Sequence, residues 1–239
     1  MKFAYLIEPP FNYVDTSDHI TGCDVEVARY VFSELGLGAF VPVEAEFADL
    51  LPGLADGRWR MTTGLFSTVE RRSYACFSRP IWALPDGLLV RRGNPLALSG
   101  YMSCAQNKNV TIAVIRDQFQ HRSAVKFGVP ADRIMVFETY FEAAMAVRNG
   151  QADAYASVGR AHSGFINLHQ TWNIDLVAVP PTEKPSEFGA FAFALNDTRF
   201  RDQVTEVLSS YLGGQAHRSM AKGFGFSESE IDLVVDVVL

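Results

Sequence analysis

The sequence predicts a mixed α/β fold in two lobes, and three observations carry that expectation. Strand-like and helix-like segments alternate over the first 90 residues, a second alternation runs from about 110 to 179, and apolar runs at 87–90 and 189–195 lie at the junctions. At 239 residues the chain can form one large domain or two lobes of about 100 to 130 residues, each able to bury a core.

Each element has a local reason. Residues 2–7 read as a strand, and 24–35 as a helix because Val27, Val31 and Leu35 recur at helical spacing before the Gly36-Leu37-Gly38 stop. A strand over 40–43 precedes a short helix over 48–55, then a strand over 61–66 and a helix over 68–76. The 87–90 run reads as a strand leaving this lobe, with 91–95 as the turn after it. The second lobe reads as a strand over 110–115, a helix over 118–126 closed by Gly128 and Pro130, a strand over 134–137 and a helix over 140–149 capped by Gly150. A strand over 153–158, a helix to about 169 and a strand over 176–179 complete it. The 189–195 run returns to the first lobe, followed by a helix over 198–212 and a helical turn at 216–222. Lobe 1 is therefore expected to comprise 1–90 plus 190–239, and lobe 2 to comprise 91–189.

Composition narrows the function classes. Apolar residues make up 48% and charged residues 20%, the balance of an ordinary globular protein. With 21 basic against 27 acidic side chains the net charge is −6, and the absence of a basic stripe argues against nucleic acid as a partner. The odd set Cys23, Cys76 and Cys104 lacks Cys-x-x-Cys spacing, so no zinc site or disulfide framework is indicated, although one bridge stays open. The histidines lack metal spacing, and no nucleophile elbow or nucleotide glycine loop occurs. Neither a metal nor a cofactor is expected. No stretch approaches the roughly 20 apolar residues of a membrane span, and Met1-Lys2 passes directly into the first strand without a secretory leader.

The stretch 62–82 is the most informative. Ser67, Thr68 and Glu70 supply an N-cap signal for a helix that carries Arg71 in its first turn. A guanidinium beside free N–H groups and the positive end of a helix is a receptor for a carboxylate. Phe66 precedes that point by five residues.

Gly64, Thr68, Glu70, Arg71, Phe77, Ser78 and Pro80 resemble the Gly-x-x-x-Thr-x-Glu-Arg and Phe-Ser-x-Pro signature of the family 3 periplasmic solute-binding proteins of ABC transporters. The resemblance covers almost the whole chain. It includes Glu-Pro-Pro-Phe-Asn-Tyr at 8–13, the run 22–28, Leu50-Leu51-Pro52-Gly53-Leu54 with Gly57, Glu142-Ala143-Ala144, 150–154, and Phe224-Gly225-Phe226. It implies the type II periplasmic-binding-protein fold, with two crossing hinge strands and a ligand cleft between lobes that close on the ligand. It further implies a monomer outside the cytoplasm that delivers a small zwitterion to permease subunits. For such a protein, the directness of the start reads as a mature chain with an added or retained Met, the literal alternative being a cytosolic protein.

The resemblance also assigns site residues. Arg71 would hold the ligand carboxylate, Gly64 and Phe66 would offer main-chain contacts, and Phe11 and Phe47 stand where relatives place an aromatic against the ligand. Glu8 would meet the cationic end. Arg72, Asp15, Asp18 and Asp153 read as solvated or structural. In the second lobe Asp117 and Gln118 replace the usual Gly-Thr, leaving Gln118 to contribute a side-chain amide and Asp117 to cap the helix or approach a cation. Two departures bear on the ligand. Phe66 replaces a common Thr or Ser and adds an aromatic wall suited to a delocalised or alkylated cation. Val158 replaces the Asp that accepts an α-ammonium, and a buried unpaired ammonium is costly. Glu8, Phe11, Phe47, Phe66 and Arg71 together resemble the ectoine and hydroxyectoine binders. The alternatives are a polar or cationic amino-acid binder, an enzyme like cyclohexadienyl dehydratase with Glu8 as its acid, or the sensor module of a larger receptor. The expectation is a binding protein, not an enzyme.

Overall fold

The computed structural model describes residues 1–235, and the chain divides into two compact α/β units, Met1–Ala83 with the chain from Glu187 onward, and Leu84–Ser186. The second division precedes the strand Glu187–Ala190, and the first is set by one other strand. Asp86–Arg91 runs through the sheet of the second unit, antiparallel to both Ala154–Val158 and Ile174–Ala178.

In the first unit the strand Lys2–Tyr5 lies between Val41–Glu44 and Met61–Thr62, all parallel. The helix Cys23–Glu34 turns its Val25, Val27, Ala28, Val31 and Phe32 inward and packs against the helices Thr198–Tyr211 and Gln215–Gly223, where Tyr30 stacks on Tyr211 at 3.8 Å. Ala4, Leu50, Leu54, Trp59, Leu65 and Phe77 belong to one apolar cluster beneath the sheet.

Three expectations are corrected here. The strand over 61–66 is two strands: Met61–Thr62 pairs with Lys2–Tyr5, whereas Leu65–Phe66 pairs with Glu187–Ala190 in a different sheet. Between them the Thr63 N–H still donates to the Ala4 carbonyl at 2.8 Å, but the Gly64 N–H turns to Asp24 Oδ2 at 2.8 Å, which ends the first pairing, and Thr63 Oγ donates to the same oxygen at 2.6 Å. The helix over 68–76 is a single 3-10 turn, Arg71–Ser73, followed by a buried strand, Ala75–Phe77, paired with Ala192–Ala194. Burial of Ala75, Cys76 and Phe77 in that ladder outweighs the helical start signal. Likewise the run at 189–195 is two strands, Glu187–Ala190 and Ala192–Ala194, serving two sheets.

In the second unit the strand order is Ile134–Phe137, Ile112–Ile115, Ala154–Val158, Asp86–Arg91, Ile174–Ala178. Helices Tyr140–Arg148 and Gly159–Leu168 pack on this sheet. The first is closed at its start by a reciprocal cap, Thr139 Oγ accepting from the Glu142 N–H at 3.2 Å while Glu142 Oε2 accepts from the Thr139 N–H at 3.1 Å. The helices Tyr101–Gln106 and Glu228–Val235 lack a strong periodic signal and were not expected. Cys23, Cys76 and Cys104 are all buried free thiols, so the bridge left open by the sequence does not form.

Candidate functional site

Most of the candidate residues of the first unit, Phe11, Phe47, Phe66 and Arg71, are linked through ring and hydrogen-bond contacts near the ends of its strands. After Lys2–Tyr5 the chain makes a tight turn in which the Glu8 carbonyl accepts from the N–H groups of Phe11 and Asn12, at 3.0 and 3.1 Å, and the Pro9–Pro10 peptide is cis. The carbonyls of Pro10 and Phe11 in turn accept from Cys23 and Asp24, the first residues of the helix Cys23–Glu34. A helix start therefore holds the turn, and the turn holds Glu8 and Phe11, both buried.

Asp24, fully buried, organises the neighbouring strand ends. Its Oδ2 receives Thr63 Oγ and the Gly64 N–H, and its Oδ1 receives the Trp82 indole N–H at 3.0 Å. Asn12 joins by donating to Thr63 Oγ at 2.7 Å. Burial pushes the Asp24 carboxyl up to about 6, against the opposing pull of those three hydrogen bonds. The N–H of Gly64, a residue expected to offer main-chain contacts, is thus directed to Asp24.

Trp82 was not foreseen as part of the site. Its ring meets Phe11 with centroids 5.2 Å apart and Phe66 at 5.5 Å, the latter edge to face, and Phe11 also meets Phe226 at 6.0 Å. Two signals could have found these residues. Trp82 follows the Phe-Ser-x-Pro segment by two residues, and Asp24 stands three and four residues before Val27 and Ala28, on the helix stripe that must be buried.

Arg71 is buried, although no extended helix begins there. Thr68 Oγ accepts its backbone N–H at 3.2 Å, and its Nη1 donates to the Phe66 carbonyl at 3.0 Å. The guanidinium carbon lies 5.1 Å from the centre of the Phe47 ring, which is half-buried in the 3-10 turn Phe47–Asp49. Arginine, aromatic face and the Phe66 main chain therefore form one unit, and a planar fork of donors held this way is suited to a carboxylate. Arg72 is exposed and bonds Ser67, as a surface residue does. Asp15 and Asp18 are exposed, with Asp15 Oδ1 accepting from Ser17 and His19.

The second unit places Asp117 and Gln118 on the turn between the strand Ile112–Ile115 and the helix Phe119–Lys126. Asp117 is exposed with a positive φ of 61°, and Gln118 is the N-cap residue. Gln118 is buried, makes no side-chain cap, and its Oε1 has no hydrogen-bond partner among the described residues. Asp153 is tied to Thr111 and Arg91, a structural role. Val158 is buried at the end of its strand. Among the described residues no group of three or more His, Cys, Asp or Glu is placed to hold a metal ion, and no helix is long and apolar enough to cross a membrane.

Residues 2–222 match the model of the bacterial extracellular solute-binding proteins, family 3. The chain is 28% identical, over 99% of its length and 80% of the relative's, to a probable amino-acid ABC transporter periplasmic-binding protein of Sinorhizobium fredii. It superimposes on EhuB, solved in complex with hydroxyectoine, with a TM-score of 0.87 and 26% identity, covering 97% of this chain and 90% of that one. The arginine-, lysine-, histidine-binding protein ArtJ of Geobacillus stearothermophilus shares the fold with a TM-score of 0.86 at 21% identity, over 97% and 98% of the two chains. The fold is that of the type II periplasmic binding proteins, and the chain belongs to the family 3 bacterial extracellular solute-binding proteins.

Proposed function

We propose that this protein captures a small zwitterionic carboxylate with a delocalised cation, of the ectoine and hydroxyectoine class, for import by an ABC transporter. The observation that carries this reading is the clustering in one unit of Phe11, Phe66 and Trp82 with a buried acid, Glu8, and a buried arginine, Arg71. Arginine takes a carboxylate in a bidentate manner, and aromatic faces attract a spread positive charge by about 0.5 to 2 kcal/mol per contact. Glu8 supplies the opposite charge to the cation. By the family resemblance Val158 stands at the position where relatives carry the Asp that accepts an α-ammonium, which disfavours an ordinary α-amino acid. The likeness to EhuB supports the same class, and the Sinorhizobium relative supports import through an ABC transporter.

Arginine is the second candidate ligand, because its guanidinium is also planar and delocalised and Glu8 could pair with it. A thermal-shift panel of ectoine, hydroxyectoine, betaines, arginine, lysine, histidine and glutamine, followed by calorimetry, separates the two. Ligand at 100 times its Kd should stabilise the protein by about 2.7 kcal/mol. Ectoines are expected to raise the melting temperature and to be recovered chemically unchanged. Silence with both ectoines alongside a shift with arginine replaces the first reading by the second.

A further inference from the structure

We propose that Trp82 is a specificity-determining positioning residue, which sets the rings of Phe11 and Phe66 and is itself locked by Asp24, Gly64 and Gly189. Its influence on ligand choice presupposes the aromatic site described above, whereas its hold on the two rings does not.

The indole is constrained on its edge and on its sides. Its N–H donates to the buried Asp24 carboxylate at 3.0 Å. A Cβ on Gly189 would stand 2.2 Å from Trp82 Cη2, and one on Gly64 would stand 2.8 Å from Nε1, so only glycine lets the ring lie where it does. Turning the ring would strip a donor from a fully buried carboxylate and drive the six-membered ring into the backbone of the neighbouring strand.

The lock connects directly to the ligand-facing rings. Gly189, on which the indole rests, is the ladder partner of Phe66, whose ring meets the indole edge. Phe11 reaches the same indole from the turn that caps the helix carrying Asp24. A shift of Trp82 thus moves both rings, from two separate segments of chain, at once. Cation–π attraction requires the charge within about 6 Å of the ring centre, so walls set at a fixed spacing favour a flat delocalised cation over a compact ammonium.

The test compares Trp82→Phe, Gly189→Ala and Asp24→Asn with the unaltered protein, measuring ligand-free melting temperature and calorimetric Kd for ectoine and for arginine. In variants that melt cooperatively, Trp82→Phe and Gly189→Ala are expected to weaken the bound ligand at least tenfold and to change the ectoine-to-arginine preference at least threefold. A merely structural tryptophan would lower the melting temperature and leave Kd and preference alone; Kd within twofold with unchanged preference in both variants overturns the proposal. If the unaltered protein takes arginine and not ectoine, the ligand reading fails, and the positioning role is judged by the change in arginine Kd. A ligand-free measurement stands independently of either. Ring resonances of Phe11 and Phe66, assigned through Phe11→Leu and Phe66→Leu, should shift in Asp24→Asn; unmoved resonances overturn the proposal.

Discussion

Under the proposed function, Arg71 is prepared for a carboxylate before any ligand arrives. Its Nη1 bond to the Phe66 carbonyl and the Phe47 ring below its plane fix the fork in a buried setting, so little rotamer freedom remains to be lost when an anion arrives. Lysine in its place would bring one compact charge that cannot both hold that carbonyl and meet a carboxylate side-on. Arg71→Lys is therefore expected to weaken a carboxylate ligand at least tenfold, about 1.4 kcal/mol, and Arg71→Ala to weaken it further, as calorimetry would read. Undiminished affinity in a folded Arg71→Ala protein would refute the assignment. On the same reading, Phe66 governs the other end of the choice. Replacing it by Thr removes the ring that meets Trp82 and restores a hydroxyl, so Phe66→Thr should lose ectoine affinity and gain affinity for polar α-amino acids in the same panel.

At the scale of elements, the sequence revealed most where a segment answers to its own residues. The helix Tyr140–Arg148 is an example: Thr139 and Glu142 form the reciprocal cap, its apolar face is periodic, and Gly150 with a φ of 73° follows its end. Thr139→Ala is expected to cost about 1 kcal/mol of stability, seen as a lower urea midpoint at unchanged slope. An unchanged midpoint would show that the cap contributes nothing. Legibility failed where distant residues decide. The run 61–66 has the composition of one strand, yet Asp24, forty residues earlier, takes the Gly64 N–H out of the ladder. The start signal at Thr68 operates, since its hydroxyl accepts from Arg71, but the helix stops after one 3-10 turn because Ala75–Phe77 pairs with Ala192–Ala194. The same blindness explains the site. Arg71, Phe11 and Glu8 were marked by motif, while Trp82 and Asp24 derive their meaning from each other, and no spacing rule joins residues 24 and 82.

For the molecule as a whole, buried ionisable groups predict that the two units respond differently to acid. In the second unit His162 is fully buried, with Nε2 3.2 Å from the Gly87 carbonyl and Nδ1 2.5 Å from the Tyr140 hydroxyl. A carbonyl only accepts, so Nε2 carries the proton, Nδ1 accepts from Tyr140, and the ring is neutral. Burial lowers its pKa to about 3. Because that lies below the unfolded value of about 6.5, the stabilisation is complete above 6.5 and is lost as pH falls towards 3, amounting to about 2 kcal/mol by pH 5. In the first unit His217, lowered to about 4 chiefly by burial, loses stability in the same direction. There Asp24 opposes it: a carboxyl raised to about 6 from 3.8 gains stability as pH falls through 6, about 1.4 kcal/mol by pH 5. His217 alone would lose about 2 kcal/mol by pH 5, so the first unit loses about 0.6 kcal/mol net against about 2 kcal/mol in the second. Hydrogen exchange, corrected for intrinsic rates, should show protection of Ile112–Ile115 and Ala154–Val158 falling more between pH 7 and pH 5 than that of Lys2–Tyr5 and Val41–Glu44. His162→Gln should remove the difference and Asp24→Asn should shrink it by making the first unit acid-sensitive as well. Equal losses in the unaltered protein would mean that these three groups do not set its response to acid.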